Sequence, residues 1–115
     1  MILFKPEHVP MILSGRKTQT RRTGIRRWNV GSIHKCYTRP PFAKGGAEPF
    51  CSVRILDVRQ SKPIGCVSEA DIRAEGYDSF FDFWRVWCSI NGRGCSPTAR
   101  PWVVEFEVVE GGSHD

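Results

Sequence analysis

Residues 102–109 restrict the fold of this chain more than any other segment, because large apolar residues alternate with acidic ones along it. One side of an extended chain would carry Trp102, Val104, Phe106 and Val108, and the other would carry Glu105 and Glu107. Such alternation is typical of a strand in a sheet that has one face on a core. The chain has 115 residues, which is enough for one hydrophobic core and too few for two. We therefore predict a single domain over residues 1–110 and a disordered tail at 111–115.

The remaining segments predict short strands mixed with short helices. Strands are predicted at 1–4, 17–22 (as a polar strand or an extended loop), 32–38 and 50–59, the last with a bulge at 56–58. Helices are predicted after Pro6, Ser68 and Ser79, and the aromatic segment 80–90 is expected to be buried on most sides. The order β-α-β-β-β-α-α-β favours an α+β fold, a small mixed β-barrel flanked by short helices. The Pro- and Gly-rich stretch 39–49 is predicted to be a loop, either a lid or an insertion.

Composition excludes several classes of protein. No apolar run approaches the roughly 20 residues that span a bilayer, so a transmembrane protein and a membrane partner are excluded, and the N-terminus shows no secretory signal. The five cysteines form no C-x-x-C motif, and the three histidines stand at no metal-binding spacing from them. We therefore expect a cytoplasmic protein with reduced thiols, no metal and no cofactor.

Positive charge is concentrated in the first third of the chain. The net charge is +5. Residues 1–40 carry nine Lys and Arg against one acidic residue, whereas residues 41–115 carry eight Lys and Arg against eleven acidic residues. Six cations fall within residues 16–27, interrupted by Thr and Gly rather than by Glu. This distribution favours an anionic partner, namely RNA, DNA or a nucleotide. A solvated basic face without a ligand is the alternative.

Two motifs resemble a known family. Residues 12–22 fit an apolar helix end followed by G-x-K-T-x-T-x-R, with Gly15, Lys17, Thr18, Thr20 and Arg22 at the matched positions. A second segment, Glu75-Gly76-Tyr77 before an aromatic helix, occurs in the same order along the chain. Both resemble the ASCH domain, a relative of the PUA RNA-binding domain, and the resemblance covers nearly the whole chain. It implies a small PUA-like β-barrel with a cleft between the barrel and the helices.

The resemblance also implies a set of catalytic residues. Some small bacterial ASCH proteins are amidohydrolases that deacetylate N4-acetylcytidine with a Lys, a Thr and a Glu, which match Lys17, Thr20 and Glu75. In that reaction Thr20 would attack the acyl carbonyl, Lys17 would activate it and Glu75 would handle the leaving amine. Arg22 would stabilise the oxyanion or bind the substrate. Other ASCH proteins bind or cleave RNA, so the fold does not fix the activity.

Elementary chemistry allows these roles without requiring them. A lysine close to other cations has a lowered pKa and can act as a base, and a threonine hydroxyl becomes a nucleophile once a base takes its proton. Alternatively, Lys17 and Glu75 form a structural ion pair, Thr20 is an ordinary strand residue and Gly76 is only a helix cap.

Two hypotheses about function remain. The first is a module that binds RNA or a nucleoside or nucleotide in a basic cleft. The predicted binding residues are Arg16, Arg21, Arg22, Arg26, Arg27 and Trp28. Trp28 is expected to stack on a base or to act as a barrel lid. The second hypothesis is an enzyme, either an amidohydrolase acting on N4-acylated cytidine or a ribonuclease. No protein partner can be identified from the sequence.

Overall fold

Five strands form one mixed sheet in the order β1-β3-β4-β5-β2. The structure, a computed structural model, describes residues 1–42, 44–92 and 95–111. Its strands are β1 (Ile2–Leu3), β2 (Gln19–Arg22), β3 (Ile33–Tyr37), β4 (Cys51–Gln60) and β5 (Trp102–Gly111), and its α-helices are α1 (Val9–Leu13), α2 (Glu69–Ala74) and α3 (Phe80–Asn91). Short 3₁₀ turns occupy Pro6–His8 and Ile64–Cys66. The predicted α+β class and the predicted order of elements are confirmed.

The long strands β4 and β5 form the centre of the sheet. They pair in antiparallel fashion along nearly their whole length, and β2 and β3 flank them in the same sense. The register shifts between Ile55 and Asp57, inside the region where the sequence predicts a bulge, and again between Ser52 and Val53. Such irregularities bend a strand, which helps the sheet to curl.

A side chain joins the two edge strands where the curled sheet nearly closes. The Arg22 Nη2 group of β2 donates a hydrogen bond of 2.8 Å to the Leu3 carbonyl of β1. The same guanidinium lies 4.9 Å from the centroid of the Phe4 ring, a distance typical of a cation–π contact. We call Leu3, Phe4 and Arg22 the seam. Because β1 and β2 stand at opposite ends of the strand order, this contact gives the open sheet a barrel-like shape.

The apolar residues form two clusters. The first fills the inside of the curled sheet with Ile2, Phe4, Ile12, Cys36, Cys51, Val53, Ile55, Val104 and Phe106. The second lies beneath α2 and α3 and consists of Ile64, Ile72, Phe83 and Trp87. The helices therefore form a layer with a core of their own beside the sheet.

Helix α3 is less buried than its sequence indicates. Its buried residues are Phe83 and Trp87, whereas Phe81 is 71% exposed and Ile90 is 57% exposed. The expectation that this segment is buried on most sides is therefore wrong. The helix packs on one side against Ile64 and Ile72, which leaves its outer aromatic residues in solvent.

The thiols also depart from expectation. Cys88 and Cys95 form a disulfide, whereas Cys36, Cys51 and Cys66 are free. The expectation of five reduced cysteines is therefore wrong, because Cys88 and Cys95 lie close together, with 5.0 Å between their Cα atoms. The cytoplasmic location stays a prediction. The longest described helix, α3, has 12 residues, and no helix in the described part of the chain is long and apolar enough to cross a bilayer.

The predicted tail and the predicted loop have different outcomes. Gly111 belongs to β5, and residues 112–115 lie outside the described residues. The described residues of 39–49 contain no helix or strand, as predicted. Their role as a lid stays a prediction.

Two serine caps begin the larger helices as the sequence indicates. Ser68 Oγ accepts from the Asp71 N–H at 3.1 Å, and Ser79 Oγ accepts from the Asp82 N–H at 3.2 Å. Each bond satisfies a backbone donor that has no partner within its helix.

We expect Ser79→Ala to lower the free energy of unfolding by about 1 kcal/mol, because it removes the cap of α3. Ser89→Ala is the matched control, since Ser89 is exposed on the same helix and bonds the Val86 carbonyl within it. The control should change stability by less than about 0.5 kcal/mol. Urea denaturation of both variants measures the difference, and equal losses would contradict the capping role.

Candidate functional site

Strand β2 directs its side chains to two different environments. Gln19 Nε2 donates to the Asp71 carbonyl at 3.2 Å, and Arg21 Nη1 donates to the Glu75 carboxylate at 2.8 Å. The alternate residue Arg22 donates to the seam carbonyl of Leu3 and, at 3.2 Å through Nε, to the Thr20 hydroxyl. Because successive side chains of a strand point to opposite faces, one face of β2 holds α2 and the other holds the seam.

The Glu75 carboxylate lies between two buried cations. Lys17 Nζ is 3.3 Å from Glu75 Oε1, and Arg21 Nη1 is 2.8 Å from Glu75 Oε2. Lys17 is 2% exposed and Glu75 is 4% exposed. Lys17 Nζ also donates to the Glu75 carbonyl at 2.7 Å. Removing one partner of such a pair typically costs about 3–5 kcal/mol, because an uncompensated charge stays buried.

Arg21 has further partners on the same side. Its Nε donates to Ser61 Oγ at 3.1 Å, and its Nη2 lies 3.4 Å from the Asp71 carboxylate. The guanidinium is therefore held by three protein groups and only slightly exposed. This arrangement gives Arg21 a structural position rather than one that is open to a ligand.

The electrostatics of the cluster favour a less basic lysine. Burial lowers the pKa of Lys17, and the neighbouring charges of Arg22 and Arg21 lower it further, while Glu75 raises it. Burial likewise lowers the pKa of Arg22, with Glu75 acting in the opposite direction. A lysine in such surroundings holds its proton less tightly than one in water, as a general base requires.

Gly76 allows α2 to end close to Lys17. Its φ is +103°, and a Cβ at this position would lie 2.9 Å from Met11 Sδ and 3.4 Å from Lys17 Cβ. The preceding turn is fixed by the Thr18 N–H, which donates to the Ala74 carbonyl at 2.8 Å. The Glu-Gly pair of the second motif thus has a physical reason, because the carboxylate reaches Lys17 only if the next residue lacks a side chain.

A cleft of about 780 Å³ opens beside the seam. Its lining includes Met1, Ile2, Leu3, Phe4, Lys5, Pro6, His8, Thr20, Arg21, Arg22, Thr23, Arg27, Trp28, Thr38, Trp87, Ile90 and Asn91. The cleft therefore combines cationic side chains of the N-terminal segment with aromatic and polar residues from the end of α3.

The structure separates the predicted catalytic residues into two groups. Thr20 lines the cleft, whereas Lys17 and Glu75 do not and are buried on the side of α2. Lys17 instead contributes to a smaller pocket of about 410 Å³ with Thr18 and Phe106. Lys17 and Glu75 are brought into direct contact, but the described hydrogen bonds of Lys17 Nζ both go to Glu75 and none to Thr20.

The predicted binding residues are separated in a similar way. Arg22, Arg27 and Trp28 line the cleft together with Arg21. Arg16 is instead exposed and pairs with Asp78 at 2.5 Å. Arg26 is exposed, 3.5 Å from Asn29 Oδ1, and is not among the residues that line the cleft. Their binding roles stay predictions.

Three residues of the site were not identified from the sequence. His8 Nε2 and Tyr77 Oη lie 2.6 Å apart, although 69 positions separate them, so local pattern gives no sign of the contact. The sequence predicts that Trp87 is a core residue, and the side chain is buried. Its Nε1, however, is the buried side-chain nitrogen that lacks a hydrogen-bond partner within the described residues, and the same residue lines the cleft.

His8 stays uncharged at neutral pH. Burial lowers the pKa of His8 to about 4, and the positive charges of Lys17, Arg22 and Lys5 act in the same direction, against Glu7. A neutral imidazole has one donor and one acceptor nitrogen.

We expect this histidine to make the fold sensitive to acid. Its pKa is about 4 in the folded chain and about 6.5 when unfolded, so only the unfolded chain takes up this proton between those values. The contribution is complete above pH 6.5 and is lost as the pH falls toward 4, by about 3 kcal/mol in total. Denaturation curves between pH 7 and 4.5 should show a steeper loss for the parent than for His8→Gln, which does not titrate. Parallel curves would contradict this assignment.

The comparisons with known proteins concern the fold. No family model and no curated protein matches this sequence. Among solved structures, protein EF3133 from Enterococcus faecalis V583, of the family DUF984, is 22% identical with a TM-score of 0.67, over 95% of this chain and 74% of that one. The hypothetical protein PH0355 is 15% identical with a TM-score of 0.68, over 94% of this chain and 96% of that one.

A third similar structure is that of an ASCH domain. The ASCH domain from Lactobacillus crispatus JV V101 is 19% identical with a TM-score of 0.70, over 89% of this chain and 70% of that one. Structural similarity at this level establishes the architecture, and the low sequence identity leaves the activity open. Together with the two sequence motifs and the curled sheet, the likeness shows that this chain has the fold of an ASCH domain.

Proposed function

We propose that this protein binds a nucleoside or nucleotide in the cleft. The observation that carries the proposal is that cationic and aromatic side chains line one cavity, with Arg22, Arg27 and Trp28 among them. A guanidinium recognises phosphate oxygens and an indole face stacks on a base. The volume of about 780 Å³ lies within the range of about 300–1,000 Å³ that is usual for small-molecule sites.

Hydrogen-bonding capacity remains available in this cavity. Arg22 has five N–H donors, and its described bonds use Nε and Nη2 for Thr20 and Leu3. Arg22 lines the cleft, so a ligand with oxygen acceptors would satisfy guanidinium donors that the folded chain leaves unused.

A single nucleotide fits these observations better than a long RNA. Of the six predicted binding residues, Arg16 and Arg26 lie outside the cleft and have acidic or amide neighbours. Arg21 is held by Glu75 and Asp71. Few cations are therefore left to follow an extended phosphate backbone, which implies few released counterions and a shallow dependence of affinity on salt.

We expect Arg27→Gln to weaken the binding of cytidine 5′-monophosphate about tenfold, because it removes a charge-assisted hydrogen bond. Arg26→Gln is the matched control, since it removes the same charge from the neighbouring residue outside the cleft and should change the affinity less than twofold. Titration calorimetry at two salt concentrations measures both. Equal effects of the two variants, with tighter binding of short RNA and a steep salt slope, would favour an RNA-binding surface instead.

A specific observation favours hydrolysis of N4-acylated cytidine as a second candidate function. Thr20 Oγ1 lies in the cleft wall beside a guanidinium, at 3.2 Å from Arg22 Nε, and Lys17 has a lowered pKa in contact with Glu75. Thr20 Oγ1 would add to the acyl carbon, the C–N bond would break and the proton would pass to the leaving amine. Water would then release the acyl group from Thr20.

This reaction requires Lys17 to change partners. Its Nζ donates to Glu75 in the structure, so the lysine side chain must turn toward Thr20 before it can accept the proton. For this reason binding is the first function proposed and hydrolysis the second.

We expect Thr20→Val to abolish release of cytidine from N4-acetylcytidine if hydrolysis occurs, because valine keeps the shape and removes the nucleophile. Thr23→Val is the control, since Thr23 lines the same cleft and has no assigned role in the reaction. Chromatography of the products follows both variants. Turnover that survives Thr20→Val would exclude Thr20 as the nucleophile. If the parent protein binds the nucleotide but does not hydrolyse N4-acetylcytidine, binding remains the proposed function.

A further inference from the structure

We propose that His8 determines which ligands the cleft accepts, by donating a hydrogen bond from Nδ1 to a carbonyl oxygen of the bound base. The inference rests on the proposed binding of a nucleoside or nucleotide and adds a residue that selects for the base. It depends on three features of the His8–Tyr77 pair: its geometry, the position of its proton and the direction in which it is open.

The geometry fixes the imidazole ring. His8 Nε2 lies 2.6 Å from Tyr77 Oη, and the two rings meet edge to face with centroids 5.7 Å apart. Tyr77 is in turn packed against Phe83 of α3, with ring centroids 5.9 Å apart. His8 is 6% exposed, so burial and the contact with Tyr77 restrict rotation of the ring.

The position of the proton follows from the hydrogen-bond partners of the two rings. Burial and the nearby Glu75 raise the pKa of Tyr77, so the phenol keeps its proton at neutral pH. Within the described residues, the acceptor in reach of this O–H is His8 Nε2. A nitrogen that accepts is unprotonated, and His8 is neutral, so the single ring proton lies on Nδ1.

The remaining donor is open to the cleft. Nδ1 has no hydrogen-bond partner in the described part of the chain. In that part of the chain the fully buried side-chain polar atom without a partner is Trp87 Nε1. Nδ1 is therefore not fully buried. His8 lines the cleft, so this is the space that Nδ1–H can reach.

The uncharged N–H of His8 prefers different hydrogen-bond acceptors from those that the arginines in the same cavity prefer. Arg22 and Arg27 carry full charges and suit phosphate oxygens, whereas a neutral N–H suits the carbonyl oxygen of a pyrimidine or purine base. A site that offers one fixed donor also rejects a ligand that presents another donor at that point, because two buried donors then face each other unpaired. His8 therefore acts on specificity, and Tyr77 acts as its positioning residue.

Two variants of His8 separate the nitrogens. His8→Asn keeps an N–H group near the position of Nδ1 and loses the acceptor for Tyr77, whereas His8→Gln keeps polar atoms near Nε2 and loses the Nδ1 donor. We expect His8→Gln to weaken cytidine binding tenfold or more and His8→Asn to weaken it less than threefold. Thermal unfolding of both variants confirms that each is folded.

The tautomer is measured separately by the ¹⁵N chemical shifts of the ring in the parent. We expect a protonated Nδ1 and an unprotonated Nε2, a shift of the Nδ1 signal on addition of cytidine, and a mixture of tautomers in Tyr77→Phe. A protonated Nε2, or equal affinities of the parent and His8→Gln, would overturn the proposal. If the parent binds cytidine while His8→Gln is unaffected, the inference about His8 fails and the proposed function stands. If the parent binds no nucleoside, both fail.

Discussion

The carboxylate of Glu75 is the contact on which the rest of the site depends. It meets Lys17 and Arg21 in the interior, so it ties the end of α2 to the strand that carries the basic motif. Without it two cations would be buried with too little opposing charge, and β2 would lose its anchor on the helical layer. The position of Thr20 and Arg22 in the cleft wall follows from this anchor, since they occupy the opposite face of the same short strand.

This arrangement divides the basic motif between structure and recognition. Gln19 and Arg21 hold α2, although Arg21 also borders the cleft, whereas Thr20, Arg22 and Arg27 line the cleft without contacting α2 through a described hydrogen bond. A dense run of cations therefore does not act as one surface. Alternation along the strand sends Arg21 inward to Glu75. Burial lowers the pKa of Lys17 and of His8, and the neighbouring charge of Arg22 lowers both further.

Local chemistry made most of the fold predictable, and long-range contact made part of the site unpredictable. The serine caps and the bulge in β4 each follow from a few neighbouring residues, and both are confirmed. The alternation of β5 is confirmed for Val104 and Phe106 but is wrong for Val108, which is exposed, while Val103 on the opposite face is buried. The exposed outer side of α3 could not be predicted in this way, because an aromatic helix is expected to be buried when the elements packed against it are unknown. The Cys88–Cys95 disulfide joins residues 7 positions apart that form no C-x-x-C motif, and the His8–Tyr77 bond joins residues 69 positions apart. The two motifs predict an ion pair of Lys17 and Glu75 as one alternative, and the structure contains that contact. The motifs do not predict that Thr20 lines the cleft while Lys17 and Glu75 lie outside it.

The seam gives the barrel an unusual kind of closure. In a fully closed barrel the last pair of strands is joined by a ladder of backbone hydrogen bonds, and opening it means breaking the whole ladder. Here β1 and β2 are linked by one guanidinium that donates to a backbone carbonyl, and that guanidinium also faces the cavity. In the proposed binding, an anion that drew this guanidinium away from the Leu3 carbonyl would separate β1 from β2. Binding through Arg22 would then be thermodynamically linked to the curvature of the sheet, because one side chain serves both.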